Sequence, residues 1–218
     1  MIKTFNNWCL RNQLFEYLIN QIEAGALTPG SLINVRQLTN ELGVSRTPLR
    51  EALAQLEVQG LVTIMPQRGV MINVLTYDEL IGIFEILGAL ESQALKTAFD
   101  LIDKSKIDTM EEYNRKMARS IVEEKNRVFH ETNIQLHDVF LGLSENMELT
   151  NYVSVLKLKL FGFALKSYRN RFKEAIVREH EVFITLLRAG KKDKAINFLK
   201  NVHWKFNYPE NFIRPDAM

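Results

Sequence analysis

The ten residues 44–53 read VSRTPLREAL and place two arginines four positions apart around a Thr-Pro step. Four positions make about one turn of an α-helix, so Arg46 and Arg50 are expected on the same face. Thr47 is a residue type that caps helices, and Pro48 is favoured at the first helical position, so the stretch predicts a helix that starts here. Its N-terminal turn therefore carries two cations along one edge.

Three short helices are predicted within the first 60 residues, each with apolar side chains at helical spacing. Gly25, Gly43 and Gly60 follow these helices as stop signals. The turn between the second and third helices is very short, as in a helix-turn-helix. The positions expected in the core are Leu14, Leu18 and Ile22 in the first helix, Leu38 and Leu42 in the second, and Leu49, Leu53 and Leu56 in the third.

Strand signals are confined to residues 61–75, LVTIMPQRGVMINVL, where two β-rich runs flank the turn residues 66–69. Proline and glycine in that turn favour a hairpin. Short helices followed by a hairpin make a winged helix-turn-helix, which we assign to a first domain, residues 1–75.

From residue 76 onward the pattern is helical and carries no strand signal. The fold class is therefore mainly α: an N-terminal winged helix-turn-helix followed by an all-α helical bundle, residues 76–218. The last eleven residues, YPENFIRPDAM, are expected to form a loose tail. The predicted bundle helices cover about 76–100, 104–122, 126–143, 146–170, 172–189 and 191–207.

Composition sets broad limits on function. The chain has 28 Lys and Arg against 26 Asp and Glu, a net charge of +2, so bulk charge favours no particular partner. The single cysteine, Cys9, excludes an internal disulfide framework and fits a reducing compartment. The N-terminus has no signal-peptide core, and no apolar run approaches the roughly 18 residues that span a bilayer. We expect a cytoplasmic protein that does not enter a membrane.

The N-terminal end of the third helix is a candidate DNA-reading surface. The second helix of a helix-turn-helix pair lies in the major groove, where its first residues meet bases and phosphates. Arginine can bind guanine or phosphate in a bidentate manner, and hydroxyl groups can bind phosphate. The candidate residues are Ser45, Arg46, Thr47 and Arg50 at that end, Arg36 at the start of the preceding helix, and Arg68 at the hairpin tip beside Gly69.

The number of cations in this domain does not by itself indicate a DNA-binding surface. Residues 1–75 hold six Lys and Arg against five Asp and Glu, so the placement of the arginines is what points to DNA. The alternative is that Arg46 and Arg50 are ordinary solvated residues, with Arg50 paired to a nearby glutamate.

Residues 25–70 resemble the DNA-binding domain of the GntR family of bacterial transcription regulators. The shared elements are a G-x-L-x-P-G start, the run L-x-x-x-L-G-V-S-R-T-P-x-R-E-A-L, then L-x-x-x-G-L and a P-x-x-G wing. The resemblance implies DNA contacts at Arg36, Arg46, Thr47 and Arg50, and at Gly69 where the wing tip enters the minor groove.

Three histidines of the predicted bundle lie among apolar residues on three separate helices: His137, His180 and His203. As separate core residues, each would need its own buried partner, whereas one shared metal ion would satisfy all three. A single histidine of this kind is more often a hydrogen-bonded core residue. A polar pocket without metal therefore stays as the alternative.

Three segments of the bundle resemble the metal-binding branch of the FadR-type, or FCD-type, effector domain. They are NIQLHDVFLGLSEN, REHEVFITLLRAGKKDKA and NVHWKF. The resemblance implies a divalent metal, such as zinc, nickel or manganese, beside a small carboxylate effector. His137, His180 and His203 match its histidines, and Asn133 stands at its aspartate position. His130 falls outside the pattern and is expected at the surface.

Two departures from the FCD pattern change the expected ligand. Asn133 is neutral where the family has an aspartate, so weaker cation binding is expected. In the first bundle helix, EILGALE puts Leu87 or Gly88 where the family often has an arginine that could bind a carboxylate. A simple organic acid is then a weaker expectation for the effector.

The sequence favours a homodimeric, ligand-responsive transcription regulator, by default a repressor, that binds a palindromic double-stranded DNA operator. The bundle would sense a small molecule, with a metal at the three histidines. One alternative is a metal-dependent hydrolase with an incidental winged domain, and another is an architectural DNA binder without an effector. An enzyme is not expected, because no general base can be identified beside the histidines.

Overall fold

The computed structural model describes residues 6–164 and 170–206. The chain forms two compact units, Met1–Leu75 and Thr76–Met218. The mainly α fold class is confirmed: a small three-stranded sheet accompanies helices in the first unit, and the described part of the second unit is helical.

The first unit is a winged helix-turn-helix. Its elements are α1 (Asn6–Glu23), β1 (Leu32–Ile33), α2 (Val35–Leu42), α3 (Arg46–Val58), β2 (Val62–Met65) and β3 (Gly69–Ile72). The antiparallel sheet has the strand order β1-β3-β2, and the β2–β3 hairpin forms the wing.

The core of the first unit lies mainly between α1 and α3. The predicted core positions on these helices are buried: Leu14, Leu18, Ile22, Leu49, Leu53 and Leu56. The prediction for α2 was wrong, because Leu38 and Leu42 are only half-buried. The buried residue of α2 is Thr39, whose hydroxyl donates to the carbonyl of Arg36 at 2.8 Å. That internal hydrogen bond lets a polar side chain occupy the core side of the helix.

The start of α3 also differs from the prediction. Ser45 is the N-cap residue, with extended backbone angles, and the helix begins at Arg46. Thr47 and Pro48 therefore lie inside the first turn, where proline lacks only an N–H that has no intrahelical partner. The Ser45 side chain makes no capping hydrogen bond. Gly43 ends α2 with a φ of 64°, as predicted.

A third strand was missed, so the prediction that strands are confined to residues 61–75 was wrong. The strand β1 pairs Leu32 with Met71 and Ile33 with Val70. Two residues are too few to show the alternation that identifies a strand in a sequence. The strand forms because β3 pairs with β2 along one edge only, so its other edge can pair with residues 32 and 33.

Gly69 is required where β3 meets β1. Its φ is 112°, and a Cβ atom at this position would lie 2.9 Å from the carbonyl oxygen of Ile33. Only glycine meets both conditions without strain. Gln67, in the preceding turn, also has a positive φ, 63°.

The second unit is a helical bundle. Its elements are α4 (Tyr77–Ala98), a 3₁₀ turn (Phe99–Leu101), α5 (Lys104–Val122), α6 (Asn126–Leu141), α7 (Met147–Ala164), α8 (Asn170–Arg188), α9 (Lys192–Phe198) and a π-helical turn (Leu199–His203). Helix α5 packs against α6 and α8, and α4 packs against α7 and the π-helical turn. The predicted tail, residues 208–218, and the end of the helix predicted over 146–170 lie outside the described residues.

The π-helical turn packs closely against α4 at Gly88. A Cβ atom at Gly88 would lie 3.0 Å from the Cβ of Trp204 and 3.1 Å from the carbonyl oxygen of Lys200. Gly88 therefore sets how closely the two elements approach. No helix among the described residues combines the length and apolar character needed to span a membrane.

The Gly69→Ala variant is expected to destabilise the sheet of the winged unit by about 1–3 kcal/mol, because alanine adds backbone strain and a contact with Ile33. Hydrogen exchange of the β1 and β3 amides, followed by mass spectrometry, measures this free energy. Gly82→Ala serves as the control, because nothing lies within 4 Å of a Cβ added there. Equal protection of the sheet in both variants would contradict the assigned role of Gly69.

Candidate functional site

The three histidines predicted to share a site come together in the bundle. His137 lies on α6, His180 on α8 and His203 in the π-helical turn. All three are buried. One ring nitrogen from each lies within 4.8 Å of the other two.

The Nδ1 atom of each ring is held by an oxygen of another residue. His137 Nδ1 lies 2.6 Å from Glu91 Oε2, His180 Nδ1 lies 3.2 Å from Asn114 Oδ1, and His203 Nδ1 lies 3.0 Å from Glu179 Oε2. An ionised carboxylate and an amide oxygen can only accept, so each Nδ1 donates its N–H.

The orientation of Asn114 supports this assignment, because its amide nitrogen donates to the carbonyl of Val177 at 3.0 Å. The amide oxygen must then face His180. With protons on Nδ1, the Nε2 atoms carry lone pairs. Anchoring of the remote ring nitrogen by oxygen acceptors is the arrangement found around metal-binding histidines.

The lone pairs of two histidines point at each other. His137 Nε2 and His180 Nε2 are 3.2 Å apart. Two unprotonated nitrogens at this distance repel unless they share a cation. Zinc–nitrogen bonds of about 2.0–2.1 Å in a tetrahedral site place two ligand nitrogens roughly 3.4 Å apart. The observed spacing therefore fits a bound metal.

Burial keeps these imidazoles in the form that binds metal. It lowers the pKa of His137 to about 4, although Glu91 opposes the shift. Burial, together with His203 and His137, also holds the pKa of His180 well below its ordinary value. Both rings are neutral at pH 7, and a neutral imidazole is the state that coordinates a metal ion.

Glu91, on α4, is a site residue that was not identified from the sequence. It is fully buried, and its Oε2 accepts hydrogen bonds from His137 and from Trp204 Nε1, the latter at 2.8 Å. Its Oε1 lies 2.8 Å from Lys157 Nζ. Burial alone would raise the pKa of Glu91, but His137 and Lys157 outweigh it and hold the pKa below its ordinary value. Glu91 is therefore a carboxylate that orients His137.

The sequence contains a signal for Glu91. It lies four positions after the buried Leu87 and four before the buried Leu95, so it belongs to the apolar stripe of α4. A charged residue within such a stripe indicates a buried partner, which here includes Lys157 on α7. The sequence has Leu87 and Gly88 where the FCD pattern often has an arginine on α4. In the structure, Leu87 is buried and Gly88 faces Trp204.

Asn133, the fourth predicted ligand, is buried one turn before His137 on α6. Within the described part of the chain its Oδ1 has no hydrogen-bond partner. A buried amide oxygen without a partner is costly, and a cation would satisfy it.

The prediction that His130 lies at the surface was wrong. Its ring is buried and lies edge-on to Phe129, with 5.4 Å between the ring centroids. Burial and the nearby Lys173 lower its pKa to about 3. His130 points inward because it precedes His137 by seven residues, which is nearly two full turns of α6.

The predicted DNA-binding residues lie on the surface of the first unit. Four of them lie at the N-cap and in the first turns of α3, and Gly69, at the start of β3, is half-buried. The exposed ones are Arg36, Ser45, Arg46, Thr47, Arg50 and Arg68. Among the residues that the structure describes, none of these arginines is held in an ion pair, so Arg50 is not paired with a glutamate.

Two family models match the chain. Residues 10–72 match the bacterial regulatory proteins of the gntR family, and residues 82–202, more than half of the chain, match the FCD domain. The chain belongs to the GntR family and carries an FCD domain. It is a transcription regulator of that type. GntR regulators bind DNA, and FCD domains bind small-molecule effectors and often metals.

Individual relatives agree with this assignment. The chain is 27% identical to the HTH-type transcriptional regulator YdhC of Bacillus subtilis over 186 residues, which is 84% of this chain and 83% of YdhC. It is 27% identical to the Nta operon transcriptional regulator of Aminobacter aminovorans over 165 residues, 76% of this chain and 77% of that protein. The fold is similar to that of McbR/YncC of E. coli, with a TM-score of 0.75 and 19% identity over 89% of this chain and 93% of that one.

The Glu91→Gln variant should lose about 3 kcal/mol of unfolding free energy at pH 7, because the buried Lys157 would keep only the exposed carboxylate of Asp138, 3.8 Å away, as a counter-charge. Urea denaturation of Glu91→Gln, Lys157→Met and the double variant measures this loss, and the double variant should recover most of it. The exposed Glu85→Gln on the same helix is the control.

Acid should reduce the difference between wild type and Glu91→Gln. A carboxyl with a lowered pKa stabilises the fold above its ordinary pKa of 4.5, and this contribution is lost as the pH falls towards the folded-state value. If Glu91→Gln were as stable as Glu85→Gln at pH 7, the buried ion pair would have no role in stability.

Proposed function

We propose that this protein is a ligand-responsive, sequence-specific regulator that binds a palindromic operator as a homodimer. Its bundle holds a divalent metal and a small-molecule effector. The observation that carries the sensing role is the convergence of three histidine nitrogens whose remaining ring nitrogens are all held by oxygen acceptors.

The start of α3 supports DNA reading. Arg46 and Arg50 are exposed, one helical turn apart, so both can face one groove. The Ser45 side chain is not used in a cap, which leaves its hydroxyl and the first N–H groups of α3 available to a phosphate. Thr47 offers a second hydroxyl in the same turn.

The wing and α2 supply flanking contacts in this proposal. Arg68 is exposed in the turn between β2 and β3, and Arg36 is exposed near the start of α2. The Gly69 backbone, which has no side chain, can approach the minor groove closely. These contacts would position the recognition helix rather than read the sequence.

His137, His180 and His203 would hold the metal, with Asn133 as a fourth donor. Three imidazoles suit zinc and nickel, and manganese is a further candidate with an oxygen donor. When bound, the metal supplies a Lewis-acidic position to which an oxygen of the effector can coordinate. Asn133 adds no negative charge to the metal site. Glu91, which accepts a hydrogen bond from His137, provides a negative charge beside it.

The carboxylates around the histidines support sensing rather than hydrolysis. Glu91 and Glu179 each accept an N–H from a histidine, so they act as orienting groups and not as free general bases. This is the reason to prefer a regulator to a metal-dependent hydrolase. An architectural DNA binder would show no stabilisation by ligand, whereas a sensor gains RT ln(1 + [L]/Kd).

Apolar surface on α4 and α7, which pack against each other, supports a homodimer. Ile86 on α4 is 49% exposed and Tyr152 on α7 is 64% exposed. A second copy that covers these residues would bring two winged units to a two-fold symmetric operator. We propose that the protein represses transcription. Its effector would then bind the free protein and the DNA-bound protein with different affinities.

Arg46→Ala should weaken operator binding about 5- to 150-fold, because one arginine contact to a base contributes about 1–3 kcal/mol. Binding is measured by fluorescence anisotropy on a duplex selected from a random library with the wild-type protein. Arg115→Ala, an exposed change on α5, is the control. Both variants should sediment like the wild type, and unchanged operator affinity of Arg46→Ala would refute its assignment.

Protein purified without a histidine tag or chelator should contain about one divalent metal per chain by elemental analysis. A His137→Ala/His203→Ala variant should lose it, whereas His130→Gln, another buried histidine change, should retain it. Asn133→Asp should lower the metal dissociation constant, because it adds a negative charge. No metal after incubation with zinc, nickel or manganese would contradict the metal site and leave the DNA-binding proposal in place.

A further inference from the structure

Two lysines are buried among the described residues of the bundle, each only 3% exposed. They differ in how their charge is balanced. Lys157 lies 2.8 Å from the Glu91 carboxylate. Lys173, in the first turn of α8, forms no ion pair with a carboxylate of the described residues.

The contacts of Lys173 satisfy its hydrogen-bonding groups only in part and do not neutralise it. Its Nζ donates to Asn126 Oδ1 and lies 5.9 Å from the centre of the Phe129 ring. His130 is close by, but its lowered pKa leaves it neutral at pH 7. An amide oxygen and a ring face offset little of the cost of burying an ammonium group, whereas an anion would offset most of it.

Lys173 is aligned with the histidine cluster along the bundle. It precedes His180 on α8 by seven residues, which is nearly two turns and about 10 Å along the axis. On α6, His130 precedes His137 by the same seven residues. The two helices contact each other at both ends of this stretch: Lys173 reaches Asn126, one turn before His130 on α6, and His137 faces His180.

A buried polar atom lies between the two levels. Asn133 stands between His130 and His137 in the sequence of α6, and its Oδ1 has no hydrogen-bond partner among the described residues. The interior faces of α6 and α8 thus carry polar groups over about 10 Å, from the three histidines to Lys173. A ligand with polar ends would satisfy both levels.

We propose that Lys173 is a second anchor of the effector site and binds an anionic group of the effector, a carboxylate or a phosphate. The effector is then an elongated acid, with a metal-coordinating group at one end and an anionic group about 10 Å away. The metal-coordinating end of the effector rests on the proposed function, whereas its anionic end rests on the burial and the contacts of Lys173.

The test uses the thermal stability of the full-length, zinc-loaded protein. The probes are inorganic phosphate and the straight-chain α,ω-dicarboxylates from malonate to sebacate, at an ionic strength held constant with chloride. Phosphate should raise the Tm on the order of 5 °C at about 100 times its Kd. Among the dicarboxylates, the increase should be largest for the chain whose carboxylates lie about 10 Å apart.

Lys173→Met should remove both responses and should still bind zinc. Lys116→Met, an exposed lysine of α5, should respond like the wild type. A response to phosphate alone identifies a phosphorylated effector, and a response with a length optimum identifies a dicarboxylate. The proposal is wrong if the wild type responds to neither probe, or if Lys173→Met responds as the wild type does.

A parallel series after chelation separates this proposal from the metal site. The phosphate response should persist without metal, because Lys173 does not depend on it. Failure of the wild type to bind zinc would contradict the metal site, and the phosphate response of Lys173→Met would still decide the role of Lys173.

Discussion

The buried carboxylate of Glu91 is the interaction on which the second unit depends most. Its two oxygens reach a histidine of α6, the indole that follows the π-helical turn and the ammonium of α7, so one side chain joins four elements. Because the group is out of water, each contact is stronger than it would be at the surface, and losing either Glu91 or Lys157 leaves the other charge buried without its nearest partner. The geometry of the candidate metal site is thus inseparable from the stability of the bundle.

The features of the fold that could be predicted from the sequence are those determined by residues adjacent in the chain. The winged unit is set by adjacent residues, such as Gly43 after α2 and the turn before Gly69, and these gave the correct architecture. Errors arose where tertiary contacts decided the outcome. Ser45 rather than Thr47 is the N-cap of α3, and the two-residue β1 exists only because β3 is beside it.

The candidate site divides in the same way between local and tertiary signals. The three histidines could be proposed because each stands out on an apolar face, but their partners come from distant parts of the chain. Glu91 lies 46 positions from His137 and 113 from Trp204. Spacing in a sequence does not reveal such pairs, although a lone charge on an apolar stripe marks one member. His130 was misplaced because a resemblance sorts residues by motif and not by the face of the helix they occupy.

At the π-helical turn Leu199–His203, the position of His203 depends on the number of residues in the turn as much as on their chemical type. A π-turn holds one residue more than the equivalent α-turn, and helix residues are spaced by about 100°. Deleting one residue between Phe198 and His203 would restore a regular helix but turn His203 away from the other two histidines. Relatives that bind metal in the same way should therefore keep this spacing even where the residues between have changed.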